Sequence, residues 1–218
     1  MLDTYAFSSP RRFALRVLLP VAITMLTIAS AAHAQIWNEV GDAGDLPVTA
    51  QSTVGTGLLA SIKGALGSPT DVDMYCIQVP DPTGFIAALQ CVVIQGPNLW
   101  IFDATGKGVG ASTTCQGGDK RVTSVLVNLP GTYYVAVAYD AVYPYSGANA
   151  MWTLAYMTQR APDGPGAAGI VTSWSGTPNV QPLNPYQIRF FGGGTYYCTT
   201  PATSARAGTW GSLKLLYR

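Results

Sequence analysis

The sequence predicts an all-β protein, a sandwich of about eight or more short antiparallel strands. Apolar residues alternate or cluster in short runs bounded by Gly, Pro, Asn and Asp. Val, Ile, Thr, Tyr and Trp dominate these runs, and such side chains suit a pleated, half-buried surface. Only 11% of residues are charged, whereas Gly (24), Pro (15) and Tyr (12) are abundant, as expected of strands joined by tight turns.

The first segment stands apart. Arg11, Arg12 and Arg16 precede an apolar stretch from Val17 to about Ala29, and Ser30-Ala31-Ala32-His33-Ala34 closes it with small residues. This order predicts a helical signal peptide over 1–34, cleaved after Ala34. Its apolar core falls short of the roughly 18–20 residues a membrane span needs, so no span is expected after cleavage. Removing Asp3, Arg11, Arg12, Arg16 and His33 leaves acids and bases nearly balanced and no histidine. Such a balance argues against nucleic acid as a partner, which needs a basic surface to neutralise its phosphates.

From Gln35 the chain is long enough for one domain with a core, placed at 35–198, followed by a tail at 199–218. Residues 35–56 read as irregular and polar. Strands are expected near 57–64, 72–79, 85–95, 98–103, 122–128, 132–139, 150–157 and 186–191. Asp103-Ala104-Thr105-Gly106-Lys107-Gly108 is a hairpin-turn signal, and Leu129-Pro130-Gly131 another turn. The Pro- and Gly-rich stretch 158–184 reads as a long surface loop. The tail ends in Leu213-Lys214-Leu215-Leu216-Tyr217-Arg218, an edge strand, a short amphipathic piece or a frayed end.

Cys76, Cys91, Cys115 and Cys198 are even in number, which in an exported chain suggests two disulfides. A zinc site is disfavoured, because no pair has the C-x-x-C spacing and no histidine accompanies them. Cys76 and Cys91 fall on consecutive predicted strands and are the first choice as partners.

The acidic residues form the most specific pattern. Glu39, Asp42 and Asp45 precede the first predicted strand, and Asp71 and Asp73 open the second. In a strand, residues 71 and 73 point to the same side. Carboxylates held that close repel unless a proton or a cation intervenes, and calcium takes six to eight oxygen ligands. An acidic segment folded over a strand start supplies such ligands.

The ordered set Asn38-Glu39, Asp42-Ala43-Gly44-Asp45, Ala50-Gln51, Gly57 to Gly64 and Asp71-Val72-Asp73-Met74-Tyr75 resembles the bacterial pre-peptidase C-terminal (PPC) domain. Leu99 to Asp103 with Gly106, and Pro130-Gly131-Thr132-Tyr133-Tyr134-Val135-Ala136-Val137, continue the likeness, which covers roughly 36–157. The resemblance implies a jelly-roll-like sandwich that serves as a non-catalytic accessory on secreted or surface proteins. It also implies calcium ligands at Glu39, Asp42, Asp71 and Asp73, with Asp45 as a further candidate. The acids before the first strand are spaced differently from the family's calcium binders, and Tyr75-Cys76 stands where Phe is more usual.

Tyr139, Tyr143 and Tyr145 lie in one aromatic stretch, and exposed tyrosines stack on sugars or grip a polypeptide. No Ser-His-Asp set, phosphate loop or histidine zinc motif is present after Ala34. The expected function is therefore an exported accessory or adhesion-type domain with a structural calcium site, outside the cell, on its surface or in the periplasm. Its expected partner is an extracellular polysaccharide or protein. The alternatives are a carbohydrate-binding module using the tyrosines, or a self-associating subunit of a surface layer or filament.

Overall fold

The computed structural model describes residues 34–91, 96–153, 158–178 and 185–199. The expected signal peptide and most of the expected tail lie outside them. Among the described residues the strands are, in chain order, β1 (Gln35–Asn38), β2 (Gln51–Ser52), β3 (Leu59–Ala65), β4 (Val72–Val79), β5 (Ile86–Gln90), β6 (Asn98–Asp103), β7 (Gly108–Ser112), β8 (Asp119–Thr123), β9 (Gly131–Ala138), β10 (Tyr143–Ser146), β11 (Asn149–Ala150), β12 (Ser173–Ser175), β13 (Pro185–Phe191) and β14 (Tyr196–Tyr197). No helix of the described residues is long and apolar enough to cross a membrane.

Two sheets make the sandwich. One runs β1-β3-β13-β5-β8, the other β14-β4-β9-β6-β7 with β2 also on β4. The eight principal strands thus order as 3-13-5-8 in one sheet and 4-9-6-7 in the other, which is jelly-roll order. Pairing among these eight is antiparallel throughout. The two parallel pairs, β1 on β3 and β2 on β4, come from the N-terminal segment. That segment reads as polar and irregular in sequence, yet it blunts an edge of each sheet.

The second sheet is buried on both faces. Leu99 and Ile101 of β6 alternate with Trp100 and Phe102, and all four are fully buried. Ile101 pairs with Gly110, where an added Cβ would lie 2.8 Å from Val122 of the first sheet. That face is therefore the inter-sheet core. The opposite face carries an aromatic layer: Trp100 meets Trp152 at 5.1 Å, Tyr143 at 5.7 Å and Trp174 at 6.0 Å, all edge-on. Trp174 sits on β12, which pairs with β10, so the expected loop at 158–184 is partly a folded cover. Residues 179–184 lie outside the described residues.

Most expected strands are present with ends moved by a few residues. The expected hairpin turn at Asp103 joins β6 to β7, where Asp103 Oδ1 accepts from the Thr105 and Lys107 amides at 2.8 and 3.1 Å. The strand expected at 122–128 instead spans Asp119–Thr123 and ends in a turn. Its charged start, Asp119-Lys120-Arg121, reads as loop in sequence but lies within the sheet. Of the strand expected at 150–157, only Ala150 is in a strand among the described residues.

All four cysteines are paired, but Cys76 does not join Cys91. The bonds are Cys76–Cys198 and Cys91–Cys115, with Cα atoms 5.4 and 6.2 Å apart. The reason is topological: β4 and β5 lie in different sheets, so β4 and the end of β5 are not neighbours. Cys76 instead faces the covered edge, where Thr53 Oγ1 donates to Cys76 O at 2.8 Å and accepts from Cys198 N at 2.9 Å. The bonds span 122 and 24 residues, for which loop-closure entropy gives about 5 and about 3.5 kcal/mol. Replacing Cys76 and Cys198 with Ser should therefore destabilise the domain more than replacing Cys91 and Cys115. Urea unfolding of the two double variants checks the order, and a Cys76–Cys91 peptide in the disulfide map would refute it.

Candidate functional site

The N-terminal segment crosses from one sheet to the other, and its loop holds the acids. After β1, Glu39 N donates to Lys63 O at 2.9 Å, which prolongs the pairing with β3. The Gln51 side chain then clamps Val40, accepting from its N at 3.0 Å and donating to its O at 2.7 Å. Gln51 N reaches Ala43 O and Met74 N reaches Gly44 O, at 3.0 and 2.9 Å, so the loop is tied to β4. Gly44 has φ +66°, and a side chain there would run into Thr49.

This path brings Glu39, Asp42 and Asp73 together, with one carboxylate oxygen from each within 4.8 Å of the others. Asp73 is on β4 and fully buried, Glu39 is half-buried and Asp42 exposed. A cleft of about 350 Å³ beside them is lined by Glu39, Gly41, Asp42, Ala65, Gly67, Ser68 and Asp71. Asp71 precedes β4 and accepts from Gly67 N, so it faces the cleft without joining the triad. Asp45 is exposed and outside it; its backbone O instead accepts from Trp174 Nε1 at 2.7 Å.

Two tyrosines support the buried carboxylate. Tyr186 of β13 donates to Asp73 Oδ2 at 2.5 Å, and this bond joins the two sheets. Tyr186 has then used its one proton, so the 2.5 Å contact with Tyr75 runs from the Tyr75 hydroxyl to the Tyr186 oxygen. Burial pushes both phenols well above the usual tyrosine range. Gly64 makes room for the group: a Cβ there would lie 2.6 Å from both Glu39 Oε2 and Tyr75 Oη, and would collide with Tyr186 Oη. Glu39 Oε2 itself accepts from Ala65 N at 2.9 Å.

Among the described residues, the other oxygen of Asp73, Oδ1, is buried without a hydrogen-bond partner. Burial pushes the Asp73 carboxyl up to about 8; the Tyr186 hydroxyl pulls it down, and the negative field of Glu39 and Asp71 pushes it up further. Two like charges at 4.8 Å repel by about 3 kcal/mol at an effective dielectric near 20, a sizeable part of a domain's ~5–15 kcal/mol stability. A proton on Asp73 or a bound cation would relieve this repulsion. The donors are all hard oxygens, and one is orphaned, which suits calcium or magnesium and not a soft metal.

No family model matches the chain, and no curated protein matches it.

The tyrosine stretch is not the exposed platform that the sequence suggests. Tyr139 is 1% exposed in the core and has no ring face to offer. Tyr143 is half-buried on β10, edge-on to Trp100, and Tyr145 is half-buried opposite Ala150 and Ser173. The supporting residues Tyr186 and Gly64 carry no motif. Tyr75 stands out in the sequence only as the residue found where the PPC domain more usually has Phe.

The raised pKa of Asp73 makes the stability of the fold depend on pH. Its folded-state pKa lies above the ordinary carboxyl value of 3.8, so its protonated form stabilises the fold at low pH. That contribution is lost as pH rises from about 4 to about 8. In chelator, Asp73→Asn should match wild type near pH 4 and exceed its melting temperature at pH 8. A variant less stable than wild type at pH 8 would contradict the raised value.

Proposed function

We propose that the chain is an exported, non-catalytic accessory or adhesion-type domain whose N-terminal segment is pinned across the sandwich by calcium at Glu39, Asp42 and Asp73. The single observation that supports this most is the buried, unpartnered Asp73 Oδ1 beside two further carboxylates. Two disulfides are compatible with an extracellular or periplasmic setting. The jelly-roll order agrees with the resemblance to the PPC domain.

The cation has a mechanical role in this reading. Glu39 follows β1 on one sheet and Asp73 belongs to the other, so one ion draws both sheet edges together. The same loop runs on to Leu46, Pro47 and Val48. With Thr105, Ile170, Val171 and Thr172 these line a mostly apolar cleft of about 320 Å³. Val48 is 91% exposed there, an apolar side chain offered to a partner. Calcium thus holds the surface on which an extracellular protein or polysaccharide docks.

Calcium added to chelated protein should raise the melting temperature. A site of ~0.1–1 mM affinity gives roughly 1.5–3 kcal/mol at 10 mM calcium, or several degrees for a domain this size. Glu39→Gln and Asp73→Asn should each remove most of that gain. Scanning calorimetry with and without calcium checks this, and an unchanged wild-type transition refutes the site.

A further inference from the structure

The most unusual buried group lies away from the acidic corner. Lys120, on β8, is 1% exposed, although lysine is almost never fully buried unless paired. Its Nζ donates to Gly96 O at 2.7 Å and to Asn98 Oδ1 at 2.8 Å. No carboxylate stands at ion-pair distance from it among the described residues. A buried ammonium facing only neutral oxygens is costly, and burial lowers the Lys120 pKa to about 8, with Asp140 opposing the fall. At pH 7 about a tenth of this side chain is therefore free amine, a nucleophile, against well under a thousandth for an ordinary lysine.

Its acceptor is also enclosed. Asn98 opens β6, is fully buried, and pairs with Ala138 of β9. Because Nζ lies 2.8 Å from Oδ1, the amide carbon Cγ is at most about 4 Å from Nζ, given a C=O bond of ~1.23 Å. Two residues after Ala138, Asp140 places Oδ1 3.5 Å from Asn98 Nδ2. The turn that holds it is unusual: Ala141 has φ +67°, and its N–H donates to the same Asp140 oxygen at 3.1 Å. A left-handed alanine is strained and persists only where its surroundings hold it; here Gly176 packs so closely on Ala141 O that no side chain fits there.

We propose that Lys120 and Asn98 join in an intramolecular isopeptide bond, with Asp140 as the proton carrier. The neutral Lys120 Nζ attacks Asn98 Cγ, so the Nζ–Cγ bond forms. The Cγ–Nδ2 bond breaks and ammonia leaves. In the tetrahedral adduct Nζ and Nδ2 share one carbon, which carries Nζ to the side of Nδ2 that Asp140 faces; Asp140 takes the proton released by Nζ and delivers it to the departing Nδ2, so no external oxidant or co-reactant is needed. Proximity in a dry, preformed site lowers the barrier to an otherwise slow condensation. Exclusion of water also protects the product from hydrolysis. The product is an amide between β6 of one sheet and β8 of the other, a covalent strut through the sandwich. It does not depend on the cation reading, since none of its residues touches the acidic corner.

Intact-mass spectrometry of the exported chain, fully reduced, tests the strut. A mass about 17 Da below the sequence value, the loss of one ammonia, is expected. Proteolysis should then yield a branched peptide joining Asn98 to Lys120, with no cleavage after Lys120. Asp140→Ala should restore the full mass. If that variant does not fold, the wild-type mass and peptide map decide alone. An unshifted mass with linear Asn98 and Lys120 peptides overturns the proposal. So does a gain of about 1 Da at Asn98, which means hydrolysis and not condensation.

Discussion

A carboxylate buried where the two sheets meet governs this end of the fold. Asp73 belongs to one sheet, and the Tyr186 hydroxyl that donates to it belongs to the other. Everything nearby accommodates that bond. Gly64 yields the space for the Tyr75–Tyr186 pair, and the Tyr75 hydroxyl donates to the Tyr186 oxygen, whose own proton points to Asp73. Glu39 is held by the Ala65 amide at the end of β3, so a second negative charge stays fixed beside the first. The fold keeps a corner whose carboxylates repel, and a proton on Asp73 eases that repulsion.

The N-terminal segment brings further acids to that corner. A loop that only closed the sandwich would need no acid, yet this one carries Glu39 and Asp42 to Asp73 and then forms β2 on the edge of β4. β14 and Cys198 occupy the rest of that edge, so both ends of the described domain meet at one strand. At the other side of the sandwich, Cys91–Cys115 and the Lys120–Asn98 contact hold the connections around β5, β6 and β8. Cross-links thus sit at opposite margins, while the aromatic layer on β6 covers the face between them.

The sandwich itself was legible in the sequence, because period-two alternation and turn residues survive in β3, β4, β6, β9 and β13. The hairpin at Asp103 was legible for the same reason. Short strands β1, β2, β10 and β12 were not, since their pairing comes from tertiary contact and not from local pattern. Lys120 hid β8: a charged residue reads as surface, and only the three-dimensional fold shows it inside. The disulfide partners were hidden by crossovers between sheets. Of the acids, Glu39, Asp42 and Asp73 converge, although only Asp71 and Asp73 were tied by spacing; Asp71 stands at the margin and Asp45 apart. The tyrosine stretch misled because aromatic content alone does not say which face is covered.

The most direct measurement is calorimetric titration of calcium into chelated protein at pH 7, in two buffers of different ionisation enthalpy. Calcium must displace the proton held by Asp73 in the metal-free state. One ion should bind per chain, with release of a fraction of a proton approaching one, and Asp73→Asn should abolish the buffer dependence. Absence of binding heat, or binding without proton release in the wild type, would contradict a cation at this corner.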